Sequence, residues 1–155
     1  MKIKDRLILS SITGTIAAFF ADLFLYIINL FIPGNNINMP GLTLELFLNI
    51  DPNNFDAVSQ VLGFVWSLIV GAVYAFIFII LLDITGWNNL LTKSFMLVLN
   101  LWLLGAGTLI RLLDLADYVR DEPISIAAFF IAHLFFALLL AYLTKYFGIP
   151  NKEAN

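Results

Sequence analysis

Two residues in this sequence could do chemistry inside otherwise apolar segments. Asp22 interrupts the apolar run at 7–32, and His133 interrupts the run at 124–144. A charged side chain within a membrane segment costs about 2.5–3.5 kcal/mol on insertion scales, so such a residue usually marks an ion or proton pathway. A carboxylate beside an imidazole exchanges a proton with it. The pair predicts a proton-linked or cation-binding site, and Asn100 is a further polar group within an apolar run.

A structural role is the alternative for both residues. Asp22 and His133 could form one buried hydrogen-bonded pair, or each could be satisfied separately by Thr15, Asn100, Tyr74 or a backbone carbonyl. One Asp and one His are too few ligands for a metal ion, and the chain contains no cysteine. We therefore expect neither a metal site nor a cofactor.

A second group of charged residues lies after the third apolar run. Its members follow each other at helical spacing along one edge: Arg111, Asp114, Asp117 and Asp121. Three carboxylates on one edge could hold a divalent cation on the external side. The alternative is a solvated helix end in which Arg111 pairs with Asp114.

The composition indicates which elements must position these groups. The 155 residues are 61% hydrophobic and 12% charged, whereas soluble domains have about 25% charged residues. That excludes an ordinary soluble enzyme, and the net charge of -3 without a basic patch excludes a nucleic-acid partner. The sequence predicts an all-α integral membrane protein.

Four apolar stretches are long enough to cross a membrane as helices, for which about 20 residues are needed. We expect a single membrane domain over 1–155, an up-down bundle with spans at about 7–32, 57–82, 94–113 and 124–145. Pro33 and Gly34 end the first span. Asp56 is a predicted N-cap for the second, and Pro123 suits the first position of the fourth.

Lysine and arginine are unevenly distributed about these spans. One predicted side has six of them: Lys2, Lys4, Arg6, Lys93, Lys145 and Lys152. The other side has only Arg111 and Arg120. By the positive-inside rule both termini are predicted to be cytoplasmic, and the connection 33–56 is predicted to be external.

Within that external connection apolar and polar residues alternate. Leucines at positions 42, 44, 46 and 48 alternate with Thr43, Glu45, Phe47 and Asn49. The period is closer to that of a strand than to that of a helix. Either a short strand or a segment lying on the outer leaflet is compatible with this pattern. We favour the segment on the outer leaflet, because the backbone N–H and C=O groups of a lone strand would have no hydrogen-bond partners.

Small residues at four-residue spacing predict the closest helix contact. In the first span they precede Asp22 as Ser10, Gly14 and Ala18, and in the second they are Gly63, Ser67, Gly71 and Ala75. Because lipid does not drive helices together, such rows of small residues allow the backbones to approach. We expect spans one and two to contact each other along these rows.

These features favour a non-enzymatic helix bundle of a bacterial cytoplasmic membrane that acts by interaction or self-association. Its expected partners are the lipid bilayer and either a second copy or another membrane protein. The alternative is a small proton- or ion-coupled transporter or channel, because Asp22 and His133 are expected at nearly the same depth. A third hypothesis, an intramembrane enzyme using Asp22 with Asp114 or Asp117, is disfavoured because those two acids follow the end of span three.

Overall fold

The chain folds into helices throughout the regions that the computed structural model describes, residues 2–32, 39–45, 56–112 and 122–149. The elements are α1 (Arg6–Phe31), α2 (Met39–Glu45), α3 (Ala57–Thr85), α4 (Leu90–Leu104), a π-helical turn (Gly105–Leu109), α5 (Ile110–Leu112) and α6 (Pro123–Phe147). Helices α1, α3 and α6 are long and apolar enough to cross a membrane, and α4 is a shorter apolar helix. This is a helical membrane protein.

Local sequence signals set where the long helices begin. The Asp56 carboxylate accepts a 2.7 Å hydrogen bond from the backbone N–H of Ser59, which confirms the predicted N-cap of α3. Hydrogen bonds from the side chain and backbone of Ser59 lower the pKa of this carboxyl. Helix α6 begins at Pro123 as predicted, and α1 is capped by Asp5, which accepts from Ile8 N–H at 3.0 Å.

The turn between α3 and α4 is tighter than the sequence predicts. Helix α3 continues to Thr85, and the chain then passes through Gly86 and Asn89, both at positive φ, before α4 starts at Leu90. The Lys93 ammonium closes the turn by donating to the carbonyl oxygens of Thr85 and Gly86, at 3.0 and 2.7 Å. A lysine at this position satisfies carbonyls that the end of α3 leaves unpaired.

The core of the bundle lies between α1, α3 and α6, and α4 packs chiefly on α6. Helices α1 and α3 come very close at one crossing, where a Cβ atom at Gly14 would collide with the Gly71 carbonyl. Ala18 and Ala75 are buried beside this crossing, with larger residues filling the space toward α6. Only glycine allows the two backbones to come so near.

Helix α2 packs into the bundle and does not lie on its outside. A Cβ atom at Gly63 would collide with the Pro40 carbonyl, so this glycine of the small-residue row contacts α2 and not α1. The Thr43 hydroxyl lies 3.1 Å from the Gly63 carbonyl oxygen, and Leu42 and Leu44 are buried. The strand alternative is wrong for 39–45, because these residues form a short helix that packs against α3. Positions 46 to 49 lie outside the described residues.

One end of the bundle is closed by an ion pair. Arg6 faces Asp83 with two N–O distances of 2.9 Å, and Trp87 Nε1–H donates to the same carboxylate at 2.9 Å. The guanidinium also donates to the Ile149 carbonyl at 2.9 Å. Nearby, the Ile3 N–H donates to the Phe147 carbonyl at 2.7 Å. The segment before α1, the α3–α4 turn and the end of α6 therefore meet at one end of the molecule.

Candidate functional site

A cavity of about 180 Å³ lies between the helices, well away from that ion pair. Helices α1, α2, α3, α4 and α6 all contribute to its wall, together with Gly105. Along α1, Asp22 lies about 24 Å beyond Arg6 at the usual helical rise. Most of the wall is apolar, and its polar or titratable members are Asp22, Thr43, Ser67, Tyr74, Trp102 and His133. An apolar cavity with a few convergent polar groups is the usual form of a small-molecule site.

The two rows of small residues bring Asp22 to its partner. Asp22 is four residues beyond Ala18 on the face of α1 that approaches α3, and Ser67 is four residues before Gly71 on the facing row. The Ser67 hydroxyl donates to Asp22 Oδ2 at 2.7 Å, and both residues are buried. The sequence placed Ser67 in the packing row but not as the partner of the acid. Its position opposite the continuation of the α1 row was the signal that could have identified it.

His133 is held by its own helix. Its Nδ1 lies 2.9 Å from the Phe129 carbonyl oxygen, one turn earlier in α6, and the imidazole meets the Phe129 ring edge to face with centroids 4.5 Å apart. A carbonyl oxygen only accepts hydrogen bonds, so Nδ1 carries the hydrogen. In the neutral ring Nε2 is then the acceptor, which suits it to receive a proton or a donor group.

Asp22 and His133 line the same cavity but are satisfied separately. Within the described part of the chain no hydrogen bond or ion pair joins them. The acid is hydrogen-bonded to the Ser67 hydroxyl, and the imidazole is hydrogen-bonded to the Phe129 carbonyl. The sequence left several hydrogen-bond partners open for His133, and the structure shows that its partner is a backbone carbonyl. The two groups are therefore parts of one cavity wall, with space between the helices for a third participant.

The carboxylate of Asp22 has no cationic partner in the described chain. The ion pair found in residues 2–32, 39–45, 56–112 and 122–149 is the one between Arg6 and Asp83 at the closed end. None of the lysines and arginines in those ranges lines the cavity. No lysine or arginine of the described residues would thus offset the charge of an ionised Asp22 at the cavity, whereas a bound proton or cation would neutralise it.

Trp102 also lines the cavity, but its indole N–H does not open into that space. The indole Nε1 is buried and has no hydrogen-bond partner among the described residues. Its ring meets Phe130 edge to face at 5.1 Å, so the side chain is held in place. A buried N–H without an acceptor costs about 1–3 kcal/mol. Trp102 could not be singled out from the sequence, because an aromatic residue in an apolar span gives no sign of which way it points.

Asn100 does not belong to this cavity. It is exposed on α4, and its amide Nδ2 donates to the Met96 carbonyl of its own helix at 2.6 Å. The structure therefore separates Asn100 from Asp22 and His133. Its amide is exposed on the outer surface of the bundle, on an otherwise apolar helix.

Little of the predicted external charge cluster lies in the described part of the chain. Arg111 is exposed in α5. Asp114, Asp117 and Asp121 are outside the described residues, so the cation site proposed for them stays a prediction. Within the described residues no group of three or more His, Asp or Glu side chains could hold a metal ion.

Comparison with known proteins adds no assignment to this geometry. No protein-family model, curated protein or solved structure matches the chain. The cavity and the groups that line it are therefore the features of this protein that bear on its function.

Proposed function

We propose that this protein is a small multi-pass transporter that moves a cationic solute across the membrane in exchange with protons. The observation that supports this function is that Asp22 and His133 lie on the wall of one cavity within the bundle. Acids and histidines inside membrane segments face cavities and mark the paths of ions and substrates. This favours a transport site over the purely structural role that the sequence left open.

The chemistry of the cavity suggests how exchange would occur. A proton and a cationic solute compete for the same carboxylate of Asp22, so binding of one releases the other. Ser67 orients the carboxylate through its hydrogen bond. His133, with hydrogen on Nδ1, offers Nε2 as a second proton acceptor at the cavity. Competition at one site couples two fluxes in opposite directions when the site opens to the two sides in turn and changes sides only when occupied.

We further propose four spans, with α4 and the segment after it forming the third, in a bacterial cytoplasmic membrane with both termini inside. The contact of Arg6 with Asp83 and Ile149 supports an even number of crossings, because it joins the start of α1 to the end of α6. The excess of lysine and arginine at that end supports a cytoplasmic location for it.

Proteoliposomes containing a trapped pH-sensitive dye would test this function. Gradients of Na⁺, K⁺, tetramethylammonium and 2-phenylethylammonium are imposed in turn, with protein-free liposomes as the measure of passive leak, and the wild-type protein should move protons against at least one of them. Asp22→Asn should abolish that movement, because the amide neither binds nor releases a proton at neutral pH. Asp56→Asn, an exposed acid outside the cavity, is the matched control and should retain the wild-type rate. Equal rates in the wild type and Asp22→Asn, or no proton movement with any cation, would contradict the proposal.

A second candidate function is self-association through α4, and Asn100 favours it. An amide exposed on the side of an apolar helix gains from a hydrogen bond to another helix in the bilayer. Energy transfer between labelled copies in liposomes should fall when Asn100 is replaced by leucine. The neighbouring exposed Met96→Leu is the control. Unchanged energy transfer in Asn100→Leu would contradict this function.

A further inference from the structure

The lining of the cavity defines the class of molecule that fits it. Among the described residues its wall has one carboxylate, from Asp22, and the rings of four aromatic side chains, around a space of about 180 Å³. We propose that the cavity binds a small organic ammonium ion with an apolar body. This inference deepens the proposed transport function and rests on it for the role of the cavity.

The positive charge of the proposed ligand follows from the carboxylate of Asp22. Its partner is the neutral Ser67 hydroxyl, and no cationic side chain of the described residues lines the cavity. A bound anion would meet this carboxylate with repulsion. A divalent cation would need about six to eight oxygen ligands, which this mostly apolar wall does not supply. An ammonium group needs fewer partners, because it donates only two or three hydrogen bonds.

The apolar body of the proposed ligand follows from the aromatic residues that line the cavity together with Asp22. The rings that line the cavity are Tyr74, Trp102, Phe129 and Phe136. Aromatic faces attract an organic cation within about 6 Å and also contact its hydrocarbon part. These side chains come from three helices, α3, α4 and α6, so they surround a ligand from several sides.

The size of the ligand follows from the cavity volume. A cavity of about 150 Å³ accommodates benzene, and this one measures about 180 Å³. A phenyl ring with a short aminoalkyl chain is thus near the upper limit.

Three matched probes separate these contributions by equilibrium titration of the purified protein in detergent at neutral pH. They are 2-phenylethylamine, 2-phenylethanol without the charge, and ethylamine without the ring. We expect 2-phenylethylamine to bind best and each of the other two at least about tenfold more weakly. Equal affinities for 2-phenylethanol and 2-phenylethylamine, or no binding of any probe, would overturn the proposal.

One variant assigns the preference for the charge to Asp22. Asp22→Asn should remove the preference for 2-phenylethylamine over 2-phenylethanol, whereas Asp56→Asn should retain it. An unchanged preference in Asp22→Asn would overturn the assignment. The three probes on the wild-type protein test the ligand class even if the variant does not fold.

The outcome is separable from that of the flux experiment. Amine binding without proton movement would leave the ligand class standing and contradict transport. Proton movement against Na⁺ that depends on Asp22, without binding of any amine, would contradict the ligand class and leave transport standing.

Discussion

The hydroxyl of Ser67 on α3 donates a 2.7 Å hydrogen bond to the carboxylate of Asp22 on α1. These residues are 45 positions apart in the sequence and lie on the facing rows of small residues that bring the two helices together. The contact that packs the bundle is therefore also the contact that orients the acid of the cavity. A change in one row should affect both stability and function.

Ser67→Ala should destabilise the protein by about 1–2 kcal/mol, because it leaves the buried carboxylate without its donor. In the Asp22→Asn background the same change should cost less, since a neutral amide needs the hydroxyl less. Unfolding of all four proteins in detergent measures this coupling as a double-mutant cycle. Strictly additive losses would mean that the hydrogen bond contributes nothing to stability.

Gly71→Ala should destabilise the bundle by about 1–3 kcal/mol through overpacking. The new Cβ atom would lie 2.5 Å from Ala18 Cβ and 2.8 Å from the Gly14 carbonyl oxygen. Gly107→Ala is the control, because a Cβ atom there meets nothing within 4 Å. That variant should be neutral or up to about 1 kcal/mol more stable. Similar losses in both variants, measured as free energies of unfolding, would show that the α1–α3 crossing is not closely packed.

Arg6→Lys should destabilise the protein by about 1–2 kcal/mol although it keeps the charge. The lysine ammonium cannot reproduce the two-pronged contact with Asp83 or the stacking of the guanidinium on Trp87, now 4.9 Å from the ring centroid. Lys4→Ala, at an exposed position two residues earlier, should change the unfolding free energy by less than about 0.5 kcal/mol. An Arg6→Lys protein as stable as the wild type would mean that the ion pair is only incidental.

Single cysteines should show that the two ends of the bundle face different compartments, and the chain has no native cysteine to remove. Asn53→Cys in the 33–56 connection should react with a membrane-impermeant maleimide in intact cells. Asn88→Cys, exposed in the α3–α4 turn, should react only after the cells are opened. Labelling of both cysteines in intact cells would contradict the proposed orientation.

The amino-acid sequence alone determined where the long helices begin and that they are apolar enough for a membrane. Asp56 and Pro123 act within one helical turn of their own positions, so their effects are visible without the fold. The same holds for the rows of small residues, whose spacing alone puts Asp22 on the face that continues from Gly14 and Ala18.

The tertiary structure decided which groups meet. The partnership of Ser67 with Asp22, the pairing of Arg6 with Asp83, the insertion of α2 and the place of Trp102 in the cavity all depend on how the helices are rotated about their axes. In a soluble helix the apolar stripe reveals that rotation. Here residues that face lipid are as apolar as residues that face protein, so the apolar pattern does not distinguish the two sides. Only the packed bundle shows which polar groups share one cavity.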